Sequence, residues 1–168
     1  MWLSNKLCSR FASKIFYTFP GEYIDNIKHI HSGPIMHPDM IEWLSSMQVQ
    51  ENERLKVLVI AGSQWSTIIF DALLSILKDC NDIDFHIILW EKNLHFREKF
   101  QKFSYVTSYD FLKPLKLWKL MQSSDIAITR WSSTLWELMH FGIHSIIIPL
   151  KATGWNHQTH NGQYFKEK

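Results

Sequence analysis

The stretch LKVLVIAG (55–62) constrains the fold of this 168-residue chain more than any other. Its apolar residues run without alternation and end on a glycine, the pattern of a strand buried on both faces of a parallel sheet. A parallel neighbour cannot be reached through a tight turn, so such a strand must be followed by a crossover, usually a helix. The downstream sequence supplies that alternation. STIIFDALLSILKD (66–79) spaces its apolar residues at helical intervals, DFHIILW (84–90) reads as a second strand, and NLHFREKFQKF (93–103) as a second helix. SYVTSY (104–109) follows as a short strand, and FLKPLKLWKLMQSS (111–124) as a helix after Pro114. DIAITR (125–130) is a strand, SSTLWELMHFG (132–142) a helix closed by Gly142, and HSIIIPL (144–150) a fifth strand. Right-handed βαβ units of this kind predict an α/β fold, an open parallel sheet of about five strands with helices on both faces.

The part before this alternation is different. Residues 4–17 read as a short helix with Leu7, Phe11 and Ile15 on one face, FPGEY (19–23) and HSGPIMHP (31–38) as loops, and DMIEWLSSM (39–47) as a short helix. The polar QVQENER (48–54) opens a new unit, so the chain divides into 1–50 and 51–168. The polar end, KATGWNHQTHNGQYFKEK (151–168), begins another helix and reads as an unfinished domain.

Composition excludes several classes of partner. A net charge of +2, spread over scattered basic and acidic pairs, gives no footprint for nucleic acid. Cys8 and Cys80 have no CxxC or metal-ligand spacing and read as reduced thiols. No apolar run approaches the roughly 18–20 residues that span a bilayer. The basic opening segment lacks a signal peptide's apolar centre and cleavage site, so the expected location is the cytoplasm.

In an open parallel sheet, ligands bind beyond the carboxyl ends of the strands. Three loops reach that edge. In AGSQWS (61–66), Gly62 allows a tight turn while Ser63 and Gln64 can donate to phosphate or sugar oxygens, although alone this is also an ordinary βα turn. In TRWSSTLWEL (129–138), Arg130 lies at a strand end and Ser132, Ser133 and Thr134 at a helix start, with Glu137 about one turn in. Such a carboxylate can accept both hydroxyls of a ribose while the helix start meets a diphosphate. An N-cap box with a solvated glutamate is the simpler reading. It fits poorly with a Glu137 set among apolar residues between two buried strands. The third loop, GWNHQTHNGQYF (154–165), gathers Gln158 and Asn161 with His157 and His160. No carboxylate or cysteine accompanies the histidines, so no metal site is expected.

Taken together, VLVIAGSQ, SSDIAITRWSSTLWELMHFGIHSIIIPL and NHQTHNGQYF resemble the C-terminal, donor-binding half of the MurG-like glycosyltransferases, the family 28 C-terminal domain of the GT-B fold. LSNKLCSRFASKIFYTFP and GPIMHP are similar to the end of that family's N-terminal half and to its linker. The resemblance implies a Rossmann-like domain that binds UDP-GlcNAc and serves inverting GlcNAc transfer to undecaprenyl-diphospho-MurNAc-pentapeptide, in peptidoglycan synthesis. It places Gly62, Ser63 and Gln64 against the donor diphosphate and sugar. Arg130, Ser132, Ser133 and Thr134 would line the uridine and phosphate side, Glu137 would hold the ribose, and Gln158 with Asn161 would read the GlcNAc hydroxyls. His157 stands where the family more often has a second glutamine. The family needs no cofactor or metal in this half. Its general base and acceptor loop lie in the N-terminal half, so 1–168 alone is expected to bind donor without turning it over, with peripheral membrane contact through the lipid-linked acceptor. The alternative is a non-catalytic nucleotide-sugar-binding subunit of a split, two-chain glycosyltransferase.

One departure from the family recurs. The chain has 8 Trp and only 6 Gly, whereas glycine normally makes up roughly 7% of residues. Trp2, Trp65, Trp131 and Trp155 stand where the family has glycine, and Trp90, at a strand end, is a fifth such position. These five read as UGA codons that the cell decodes as glycine, with real substitutions in a decayed paralogue as the alternative, whereas Trp43, Trp118 and Trp136 fit helical apolar faces as tryptophans.

Overall fold

The computed structural model describes residues 7–18, 28–45, 53–62, 66–130 and 132–148, and the chain divides into two units, Met1–Ile41 and Glu42–Lys168. The first unit holds two three-residue strands, β1 (Ile15–Tyr17) and β2 (His29–His31), paired in parallel with Ile15 opposite His29. This corrects the helix expected over 4–17, of which the described residues keep helical backbone only at Leu7 and Cys8. The run Ile15-Phe16-Tyr17 is β-branched and aromatic, and it favours a strand once a partner is present. Tyr17 also stacks on His29 across the pair, with ring centroids 5.5 Å apart. Helix α1 (Pro38–Ser45) opens on a proline, whose fixed φ and missing N–H suit the first turn.

The second unit carries the expected alternation. Strand β3 (Lys56–Ile60) is followed by α2 (Thr67–Ile76), which tightens into a 3-10 turn at Leu77–Asp79, and by β4 (Asp84–Ile88). A 3-10 segment, Glu91–Phe96, runs into the short α3 (Arg97–Phe100), then come β5 (Val106–Tyr109) and α4 (Pro114–Gln122). Strand β6 (Ile126–Thr129), α5 (Thr134–His140) and β7 (His144–Ile147) complete the described part. All five strands of the sheet are parallel, in the order β5-β4-β3-β6-β7. Right-handed crossovers that step outward from β3 to β5 put α2 and α3 on one face. Those that return to β6 and step on to β7 put α4 and α5 on the other.

Burial follows from that arrangement. Val57, Leu58, Val59 and Ile60 of the central strand are all buried, since alternate residues feed opposite faces. On one face Val57 and Val59 join Phe85 and Ile87 beneath Phe70 and Leu73 of α2. Phe70 meets Phe96 and Phe100 edge-on, with centroids 5.3 and 5.9 Å away. The helix expected over 93–103 is α-helical only over Arg97–Phe100, with 3-10 backbone before it at Glu91–Phe96.

Candidate functional site

Strand order decides where a ligand can enter. From β3 the chain moves toward β4, whereas from the adjacent β6 it moves toward β7, so the connections after β3 and β6 diverge and leave a crevice at their carboxyl ends. Both loops singled out in the sequence leave from these two strand ends.

Gly62 follows β3 with φ +76°, a left-handed conformation that costs a residue with a Cβ about 1–2 kcal/mol. Two hydrogen bonds tie the neighbouring strand end to it. The buried Thr129 hydroxyl donates to the Ile60 carbonyl at 3.0 Å, and the Arg130 guanidinium donates to the Ala61 carbonyl at 3.5 Å. Arg130 is thereby held beside the Gly62 turn. Burial lowers its pKa from the ordinary arginine value, although a guanidinium remains a cation.

Helix α5 starts immediately beyond. Ser133 at its N-cap makes no side-chain capping bond, and Ser132 and Ser133 are both exposed. The first turn is closed instead by Leu135 and Trp136 N–H groups donating to the Ser132 and Ser133 carbonyls, each at 3.1 Å. At the other end Gly142, φ +68°, closes the helix as expected: its N–H donates to Met139 and the Ile143 N–H to Leu138, a Schellman pair.

Glu137 lies in the first turn of α5 and is half-buried. Burial raises its carboxyl pKa, and a hydrogen bond from the Trp118 indole of α4 acts in the opposite direction. Arg130 at the end of β6 and Glu137 in the first turn of α5 are thus both partly buried.

The structure therefore describes Gly62 after β3, Arg130, Ser132 and Ser133 between β6 and α5, and Thr134 and Glu137 in the first turn of α5. Ser63, Gln64, Gln158 and Asn161 lie outside the described residues, as do His157, His160, Trp2, Trp65, Trp131 and Trp155. Sequence reasoning missed two features of this edge. One is Trp118 of α4, which acts against burial on the Glu137 carboxyl; its apolar spacing reads as plain core. The other is a cleft beyond β5 lined by Arg97, Tyr109, Asp110 and Phe111, with Arg97 and Asp110 forming an ion pair. Its only sequence signal was that β5 ends at the same edge.

Trp90 is described, and its backbone is unusual. It has φ +60° and ψ 159°, and it is the one non-glycine with positive φ among the described residues, in the company of Gly33, Gly62 and Gly142. Its buried indole N–H has no hydrogen-bond partner among them.

Residues 56–168 match the model of the glycosyltransferase family 28 C-terminal domain. The chain is 29% identical, over 98% of its length and 46% of the relative's, to a UDP-N-acetylglucosamine--N-acetylmuramyl-(pentapeptide) pyrophosphoryl-undecaprenol N-acetylglucosamine transferase of Sulfurihydrogenibium sp.. The protein of the same name from Streptococcus uberis is 30% identical over 100% of this chain and 47% of its own. The crystal structure of Acinetobacter baumannii MurG aligns with 99% of this chain and 47% of that one at a TM-score of 0.67 and 17% identity, a likeness of fold. The chain spans about half the length of the curated relatives it matches.

Proposed function

The chain belongs to the glycosyltransferase family 28 C-terminal domains, and on that premise we propose that it binds UDP-GlcNAc as the donor-binding part of an inverting transferase. The observation that carries this reading is the pairing of the Gly62 turn with Arg130, which donates to the Ala61 carbonyl at the switch point. A cation fixed beside a left-handed glycine turn suits a diphosphate.

Gly62, Ser63 and Gln64 would meet the diphosphate and sugar from one side of the crevice. Arg130, Ser132, Ser133 and Thr134 would meet the phosphates and uridine from the other. Glu137 would accept the two ribose hydroxyls, while Gln158 and Asn161 would read the GlcNAc hydroxyls. In transfer, negative charge grows on the departing UDP, and a preorganised guanidinium stabilises it without having to reorganise. The acceptor hydroxyl must lose its proton to a base. That base and the site for a lipid-linked muramyl-pentapeptide acceptor would belong to a further half, working at the inner face of the membrane by peripheral contact. The names of the relatives support the donor and the acceptor.

Calorimetry tests the reading on the chain carrying Trp65→Gly, Trp131→Gly and Trp155→Gly. UDP and UDP-GlcNAc should bind at least about tenfold more tightly than UMP, because the second phosphate adds charge-assisted contacts to both loops. Equal affinity for UMP and UDP would overturn it.

A further inference from the structure

The loop after β5 and the first turn of α4 carry the stretch FLKPLK (111–116), and every residue of it except Leu112 is exposed. Phe111 is 61% and Leu115 48% exposed, while Trp118 and Met121 farther along α4 are buried and hold the helix down. Single exposed apolar side chains are common on any protein surface. Here two large ones share a short protrusion with Lys113 and Lys116, and no acid within it opposes them. The preceding Asp110 is paired with Arg97, so its charge is already offset. Glu91, beside the Trp90 ring that touches Phe111, is followed by Lys92 and adds no net charge there. Position matters as much as composition. Strand β5 is separated from β3 by β4 alone, so the protrusion stands on the carboxyl edge that holds the crevice, about 10 Å along it at ordinary strand spacing.

We propose that residues 111–116 dock this edge on an anionic lipid surface, with Phe111 and Leu115 entering the headgroup region and Lys113 and Lys116 lying against its phosphates. Apolar side chains settle at the boundary between headgroups and acyl chains, while lysines bury their stems and keep their ammonium groups at phosphate level. Each lysine near such a surface strengthens binding roughly fivefold. The apolar contacts supply a part of the binding that salt does not screen. The choice of a bilayer as the partner rests on the reading above, in which the acceptor is lipid-linked. An acceptor held in the bilayer brings the carboxyl edge, with its crevice, close to the membrane surface, and the protrusion sits on that edge.

Sedimentation with vesicles tests this on the unmutated chain. Vesicles of phosphatidylcholine mixed with phosphatidylglycerol should bind it at least about tenfold more tightly than phosphatidylcholine alone, and added salt should weaken that binding without abolishing it. Lys113→Gln together with Lys116→Gln should weaken binding to the mixed vesicles by about tenfold or more. Phe111→Ser together with Leu115→Ser should remove the part that survives salt. All four side chains are exposed, so unchanged urea midpoints check that the fold survives. Hydrogen exchange on the unmutated chain gives a reading that needs no variant: mixed vesicles should slow the amides of 111–116 and leave those of β1 and β2 as they were. Equal binding to both kinds of vesicle, no binding to either, or protection confined to other residues would overturn the inference. So would self-association that Phe111→Ser abolishes in a chain without vesicle affinity, which assigns the patch to a second copy. If the chain carrying glycine at 65, 131 and 155 fails to bind UDP while the vesicle results hold, the donor reading falls and the docking surface stands. UDP binding without vesicle binding sinks the docking surface alone.

Discussion

Trp90 concentrates the conflict between this chain's residues and its backbone. With φ +60° and ψ 159° it occupies a region that is essentially glycine's, where a side chain costs on the order of 1–3 kcal/mol. Its N–H donates to the Asp110 carbonyl at 2.9 Å, which helps to hold the backbone there. The ring gains an edge-on contact with Phe111 at 5.5 Å, yet its indole N–H is buried without a partner among the described residues. The terms can be separated by comparing two variants that both lose the ring. Trp90→Ala keeps the Cβ and its strain, whereas Trp90→Gly relieves it. Urea unfolding should find the glycine variant more stable than the alanine variant by about 1–2 kcal/mol, the reverse of the usual ranking. Equal stability, or a more stable alanine variant, would remove the structural support for glycine at this position. The nucleotide sequence decides the broader reading, because UGG codons at 65, 131 and 155 would rule out recoding there. At this scale the sequence was legible where residue type and conformation agree, as at Gly62 and Gly142. At Trp90 the two disagree, and only the backbone shows it.

Among the elements, α3 has the least intrinsic support. Four residues make one turn, too short to persist without packing, and a 3-10 segment leads into it. Its place is held by Phe96 and Phe100 against Phe70, all three buried. Phe100→Ala should cost about 3–5 kcal/mol by urea or thermal unfolding, the range for a core phenylalanine replaced by alanine. A cost under about 1 kcal/mol would mean that this helix is held by something other than its aromatic cluster. The strands were legible because continuous apolar runs admit few alternatives. This helix was read too long because its i, i+4 spacing describes the packing of two rings, and says nothing of how the backbone arrives between them. The opening segment was misread for a related reason. Leu7, Phe11 and Ile15 mimic a helical stripe, whereas the partner that makes Ile15–Tyr17 a strand lies in β2.

For the whole molecule, the two units differ in what stabilises them. The second has a central strand buried along its length and a cluster of twelve core residues on one sheet face. The first has a parallel pair of three residues each, in which Phe16 is 57% exposed. Parallel sheets normally need cover on both faces, and local stability tracks the apolar area that an element buries. Hydrogen exchange should therefore release the amides of β1 and β2 well before those of β3 and β4. Equal protection would show that the first unit folds and unfolds with the second. No helix among the described residues is long and apolar enough to cross a membrane. What the sequence determined by itself was the alternation, the parallel sheet and the loops at its carboxyl edge, because a strand buried on both faces leaves its mark on every residue it contains. The tertiary structure decided the strand order that puts β3 beside β6 and so joins the Gly62 and Arg130 loops. It also decided the meeting of Phe70 with Phe96 and Phe100, because contacts between distant segments depend on crossover and register, which no local periodicity records.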